Sequence, residues 1–198
     1  MSVAQALLLD QHYHIYGHAV DGLSLFKNQR DYHRFLRLYV KYIAPVAKTY
    51  AFCLLPNHFH FFIYTFPPHE QSVSDDSEMP VEPSRAFSNL LNAYARYYNL
   101  KYRRRGSLFV RPFGRKEVNS AAHFLKLIVY IHKNAEHHGL VDDFKDWPYT
   151  SYHLFFTEKP SHLDRESTLS WFSSIDGFRS SHANLMDYCD ITSLIFDD

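Results

Sequence analysis

The eleven residues Leu54–Tyr64, LLPNHFHFFIY, leave the backbone few options. Pro56 fixes its own φ, and Asn57 can hydrogen-bond the nearby backbone, so the pair marks a turn. The residues after it are aromatic and β-branched, which suits a pleated strand. Side chains alternate faces along a strand, so His58 and His60 point one way and Phe59 the other. Two imidazoles on one face of a rigid strand can chelate one metal ion. A bare His-x-His is more often a pair of ordinary polar residues on a half-buried strand, so the rest of the chain has to decide. On the near side of the turn, Tyr50–Leu55 reads as a second strand, and the short connection makes the two an antiparallel hairpin.

The flanking segments alternate strand and helix signals. Tyr13–Val20 (YHIYGHAV) reads as a first strand, closed by Asp21-Gly22. Asn28 is a good N-cap, and from it to about Thr49 the apolar residues Phe35, Leu36, Leu38, Tyr39, Tyr42, Ile43 and Val46 recur at helical spacing, with Pro45 as a point of kinking or shortening. Residues 67–83 hold four prolines, many serines and acids and almost no apolar side chain, the composition of a mobile loop. A helix is expected from a Ser84 cap, with Phe87, Leu90, Leu91, Tyr94 and Tyr98 on one stripe. Ser107–Val118 is expected as a strand carrying Arg111, Arg115 and Lys116. Asn119 or Ser120 caps the next helix, which runs to about His138 and stops at Gly139. A further short helix is expected around Leu169–Phe172. The order strand, helix, strand, strand, helix, strand, helix suits an α+β fold: a ferredoxin-like or RRM-like antiparallel sheet with helices packed on one face, plus a C-terminal extension.

At 198 residues the chain fits one well-packed domain. We expect that domain over residues 1–152 and an extension, packed on it or partly flexible, over 153–198. The two cysteines, Cys53 and Cys189, match no zinc spacing and read as reduced thiols. No basic stretch followed by an apolar run opens the chain and no segment approaches a membrane span, so a cytoplasmic protein without membrane contacts is expected. The formal net charge of zero argues against a uniformly basic nucleic-acid binder. The distribution is uneven, however. Ser84–Val118 holds nine Lys or Arg against one acid, whereas residues 140–198 hold eleven acids against four bases. A concentrated basic segment is the footprint of phosphate contacts, as well as of a solvated helix face.

One more pair bears on chemistry. Tyr130 and Asn134 are four apart on the helix from Ser120 and share a face. A phenol is a weak nucleophile at neutral pH, and becomes useful against a phosphodiester polarised by a metal. Asn134 offers a carbonyl oxygen one turn away, suited to a third ligand beside two imidazoles.

Taken in order, four blocks resemble the REP-associated tyrosine transposases, of the single-tyrosine HUH superfamily of insertion-sequence-like enzymes. LLPNHFHFFIY is similar to the His-hydrophobe-His strand. RRRGSLFVRPF is similar to the basic Gly-Ser-Leu-Phe/Trp segment before the last core strand. LIVYIHKNAEHHGLVDDFKDWPYTSY is similar to the tyrosine helix and the Trp-Pro segment after it, and YHIYGHAV fits the first strand. The resemblance spans about Tyr13 to Tyr152. It departs from the usual pattern at Asn134-Ala135, where the family usually has Asn-Pro; many related enzymes carry Gln at the third-ligand position.

The resemblance implies a DNA transposase: a single-strand endonuclease and strand-transferase. His58, His60 and Asn134 would hold a divalent ion, Mg²⁺ or Mn²⁺, and Tyr130 would attack to give a 5′-phosphotyrosine link. The partner would be single-stranded or hairpin DNA, with no small-molecule substrate. Arg103, Arg104 and Arg105 are the expected grip on hairpin phosphates. Arg111, Arg115, Lys116 and Lys126 are the other expected DNA contacts. Relatives include monomers and dimers, with the tyrosine helix acting in cis or in trans, so a homodimer is one open arrangement. Two other readings stay open: a domesticated module that binds hairpin repeats without cutting, and a metal-dependent hydrolase whose nucleophile is water.

Overall fold

The computed structural model describes residues 6–71 and 81–184. Four strands, β1 (His12–His18), β2 (Ala47–Leu54), β3 (His58–Thr65) and β4 (Gly114–Glu117), form one antiparallel sheet in the order β2-β3-β1-β4. Three main helices, α1 (Gln29–Ile43), α2 (Pro83–Lys101) and α3 (Ala121–His137), and two short ones, α4 (Arg165–Trp171) and α5 (Ile175–Ala183), accompany it, with four short 3-10 turns between them. The α+β class and the ferredoxin-like strand order are as expected. Most of the acidic loop expected over 67–83, and Cys189, lie outside the described residues.

The β2–β3 hairpin turns at Pro56-Asn57, with Leu55 N–H donating to His58 O at 2.8 Å. Along β3, Phe59, Phe61 and Ile63 enter one core with Phe35 and Tyr39 of α1 and Phe87, Leu90 and Tyr94 of α2. Phe62 enters a second core with Leu127, Ile128 and Ile131 of α3. A sheet apolar on both faces must be covered on both. Helices on one face therefore describes α1 and α2, while α3 and the C-terminal segment lie over the other.

Several boundaries differ from expectation for local reasons. α1 starts at its Asn28 cap, whose Oδ1 accepts from Arg30 N–H at 3.1 Å, but it stops at Ile43 rather than Thr49. Pro45 has no N–H to continue the ladder, and Ala47 already opens β2. α2 begins with Pro83 at its first turn and Glu82 as the cap residue; proline's missing N–H is no loss there. Ser84, expected as the cap, accepts from Leu7 N–H at 2.8 Å instead. β4 is only four residues long. Upstream of it Pro112 offers no N–H to a ladder, Phe109 makes a lone bridge to Ala19, and Leu108, Phe109 and Phe113 turn into the core.

α1 and α2 are clamped by a buried carboxylate. Asp31 is 0% exposed and accepts four hydrogen bonds: Lys27 N–H at 2.9 Å, Tyr97 OH at 2.9 Å, Lys101 Nζ at 2.6 Å and Tyr102 OH at 2.6 Å. The C-terminal segment is tied in at three places. Trp147 Nε1 donates to Leu54 O at 3.0 Å, and Tyr149 stacks on Tyr32 at 3.5 Å. In addition, His132 of α3 is buried between His182 of α5 (2.8 Å) and Ser151 (2.7 Å). The first two tie the segment to β2 and α1, and the His132 contacts tie α3 to α5 and Ser151 on the side of the helix away from Tyr130.

Candidate active site

His58 and His60 lie on the face of β3 that α3 covers, 5% and 1% exposed. Tyr130 and Asn134 approach from α3, 6% and 0% exposed. The four side chains therefore meet in one buried layer between sheet and helix. His58 Nε2 is 3.3 Å from Asn134 Oδ1. The Tyr130 ring stands edge-on to His60, with centroids 5.7 Å apart. Ser120 caps the helix that carries the tyrosine, accepting from His123 N–H at 3.3 Å, and Gly139 ends it at φ 64°.

Each histidine has a partner on its other nitrogen. His58 Nδ1–H donates to Asn57 Oδ1 at 2.8 Å, which leaves the Nε2 lone pair toward Asn134. His60 Nδ1 and His14 Nε2 share a 2.9 Å hydrogen bond; with the proton on His60 Nδ1, its Nε2 lone pair is free. This is the support that metal-binding imidazoles use to fix tautomer and ring orientation. His58 Nε2 and Asn134 Oδ1, facing each other as two acceptors across 3.3 Å, are an arrangement that a shared cation would relieve. The Asn134 Nδ2 is buried without a partner. The donor set of two imidazoles and an amide oxygen fits a divalent ion. Among the described residues no group of three or more His, Cys, Asp or Glu could hold one, so the amide oxygen is needed to make a third ligand.

Burial sets the charges. It lowers His58 to about 4, with His18 and His138 adding to the effect and Asn134 opposing it. His60 is pushed well below the usual imidazole range, first by burial and then by His14, His58, His18 and His138. His14 falls to about 3, by burial and by Lys116. All three are neutral at pH 7, the protonation state in which an imidazole nitrogen can ligate. Burial pushes the Tyr130 phenol up to about 12, partly opposed by Asn134.

The basic residues divide between the two sides of the sheet. Lys116 pairs with His14 in the β1–β4 register and so shares its face, and Lys126 lies half-buried one turn before Tyr130. Arg115 pairs with Ile15 and faces the other way; with Arg111, Asn92 and Phe113 it lines a groove of about 630 Å³ against α2. Arg111 donates to Asn92 Oδ1 at 2.6 Å, and the Arg115 guanidinium sits 3.9 Å over the Phe113 ring. Arg111 and Arg115 are thus not brought to the histidine face. Arg103, Arg104 and Arg105 form the turn after α2. Arg103 adopts φ 51°, Arg104 donates to Asn99 Oδ1 and Gly106 O at 3.3 Å each, and Arg105 is exposed.

Sequence reasoning missed His14, Asn57, His18 and His138. The His18 and His58 rings stack at 5.0 Å, and His138 meets His58 at 4.8 Å. A signal for two of them was present: in HYHIYGH strict alternation puts His12, His14, Tyr16 and His18 on one face. The register that sets His18 opposite His58 is a tertiary fact.

No protein-family model matches the chain, and no curated protein matches it. Among solved structures, the fold is similar to that of a REP-associated tyrosine transposase bound to a REP hairpin, with TM-score 0.59 and 17% identity over 81% of this chain and 89% of that one. At that identity the likeness is one of fold: α+β, with a four-stranded antiparallel sheet. Among the described residues no helix is long and apolar enough to cross a membrane.

Proposed function

We propose that this chain is a DNA strand-transferase that cleaves and rejoins single-stranded, hairpin-forming DNA through Tyr130. The observation that carries the reading is the convergence of Tyr130 and Asn134 from α3 on His58 and His60 from β3, with the free nitrogens of both histidines supported from behind. The similar solved structure, a transposase on a hairpin, supports the substrate class.

His58, His60 and Asn134 are the residues that would hold Mg²⁺ or Mn²⁺, which when bound polarises the scissile phosphate. Asn57 and His14 orient the two imidazoles. The Tyr130 oxygen attacks phosphorus as the bond from phosphorus to the 3′-oxygen breaks on the opposite side, and the phenol proton ends on that oxygen, which leaves as a 3′-hydroxyl. The strand is then joined to the enzyme by a 5′-phosphotyrosine, and attack by another 3′-hydroxyl reverses the step, so no nucleotide cofactor is required. Lys116 and Lys126, on the tyrosine side of the sheet, offer positive charge to the phosphate. Burial of the Tyr130 phenol excludes water from competing with it.

One observation favours a second reading. A phenol only 6% exposed and raised to about 12 also suits a descendant that holds hairpins without cutting. Incubation with labelled single-stranded hairpins and Mn²⁺, followed by a denaturing gel, separates the two. A covalent adduct that is absent from Tyr130→Phe supports the transferase. Tight binding of several hairpins with no adduct supports the binding module, and cleavage that survives Tyr130→Phe supports a hydrolase acting through water.

A further inference from the structure

The geometry points to a second phosphate-binding surface, on the opposite side of the molecule from Tyr130: the groove between α1 and α2, which we infer grips the phosphodiester backbone of nucleic acid. The inference rests on the reading above only in taking DNA as the partner. The groove has a volume of about 660 Å³ and is lined by Arg30, His33, Arg34, Leu36, Arg37 and Tyr97. α1 packs its Phe35 and Tyr39 against Phe61 of β3, on the face away from α3, so sheet and helix layers separate this groove from the tyrosine by roughly 20 Å.

Three features make it more than a solvated helix face. First, the charge is one-sided. Asp31 is the one acid in the two helices, and it is already saturated by Lys101, Tyr97, Tyr102 and Lys27 N–H. No ion pair among the described residues engages Arg30, Arg34 or Arg37. Second, the arginines are aligned. Positions 30, 34 and 37 fall on one helical stripe and span roughly 10 Å of rise, about three phosphates of one strand. Third, the floor holds an unmet donor. Arg34 lies over the Tyr97 ring at 5.6 Å with its Nε buried and unpartnered. A planar guanidinium held on an aromatic ring is pre-oriented for bidentate contact with phosphate oxygens. A DNA molecule whose cleaved strand lies at Tyr130 has its remaining length free to reach around the sheet edge to this groove. Either the paired stem or an unpaired flank presents the same phosphates.

The test uses the full chain and its triple variant Arg30→Gln, Arg34→Gln, Arg37→Gln, conservative in helix propensity, with thermal unfolding as a fold control. Binding of a labelled blunt duplex and of an unpaired strand of equal length is measured by anisotropy between about 50 and 200 mM salt. If the stem is held, the slope of log affinity against log salt falls by about 3 on the duplex, and binding at about 150 mM salt weakens on the order of a hundredfold. If an unpaired flank is held, the slope falls by about 2 on the single strand and the duplex is unaffected. Triple Arg→Lys restores most of the slope in either case. Equal slopes and affinities for wild type and variant on both probes overturn the inference. Adduct formation at saturating DNA is read in parallel. A wild type that forms adducts while the slopes stay equal sinks the groove alone, whereas lost slope with no adduct from any variant sinks the tyrosine reading alone.

Discussion

Replacing Asp31 by Asn keeps the shape of the residue that joins α1 to the end of α2 and removes its charge. The native carboxylate accepts from Lys27 N–H, Tyr97 OH, Lys101 Nζ and Tyr102 OH while 0% exposed. An amide has one acceptor oxygen and turns an NH₂ toward two of those donors. Bonds to a charged group contribute about 1.5–3 kcal/mol each, and breaking a buried charged cluster costs about 3–5 kcal/mol. Lys101 is 29% exposed and regains water, so a loss near the lower end, about 3 kcal/mol, is expected. With a urea m-value of about 2 kcal/mol/M, the midpoint should fall by about 1.5 M at pH 7 with m unchanged. The pH dependence supplies a second check. Burial alone would raise the Asp31 pKa, but the bonds from Lys101, Tyr102, Lys27 N–H and Tyr97 outweigh it, and the net shift is downward. A depressed carboxylate contributes stability that is complete above its unfolded pKa of about 4 and is lost as pH falls through the folded value. The gap between wild type and Asp31→Asn should therefore be constant from pH 8 to about 5 and close in stronger acid. A midpoint shift below about 0.3 M, or a gap that does not narrow in acid, would refute the clamp.

Other consequences follow from the same geometry. His14→Phe removes the support behind His60 and should weaken Mn²⁺ binding about 10- to 100-fold by calorimetry, since outer partners of ligating histidines typically contribute that much; unchanged affinity would mean His14 only packs. Gly17→Val should cost about 1–3 kcal/mol, because even a Cβ there would stand 2.6 Å from Cζ of the buried Phe59, and a neutral result in urea unfolding would contradict that packing. Burial raises the phenols of Tyr32, Tyr39, Tyr50 and Tyr94, and takes Tyr130 to about 12. A raised tyrosine favours the fold below its unfolded pKa of about 10 and loses that contribution as pH rises toward the folded value. A component of the tyrosinate absorbance should accordingly appear only with unfolding above about pH 10, and complete titration of the tyrosines in the intact fold would refute this.

How far the sequence could be read depended on whether a feature was local. The hairpin at Pro56-Asn57, the shared face of His58 and His60, and the caps at Asn28 and Ser120 follow from turn chemistry, alternation and capping, which act over a few residues. The strand expected over Ser107–Val118 failed upstream of Gly114 because its aromatic residues were needed in the core, a tertiary demand that overrides β-propensity. α3 on the second face was foreshadowed by β3 itself, where the unbroken apolar run Phe61-Phe62-Ile63 puts a large ring on each side, a pattern that calls for two cores. His14, His18 and His138 reach His58 and His60 only through strand register and the end of α3, separations no window on the chain spans. The shared face of Arg30, Arg34 and Arg37 is a helical period legible in the sequence, but their freedom from ion pairs among the described residues and the stacking of Arg34 on Tyr97 of α2 are tertiary.

The central claim is that Tyr130 becomes covalently attached to DNA, and peptide mapping tests it most directly. Full-length protein is incubated with unlabelled hairpin DNA and Mn²⁺, the adduct is trimmed with nuclease, and the protein is digested with trypsin and sequenced by mass spectrometry. The expected result is a nucleotide joined through its 5′-phosphate to Tyr130 in the peptide Leu127–Lys133. A nucleotide on any other residue, or cleaved DNA with an unmodified Leu127–Lys133 peptide, would contradict the account.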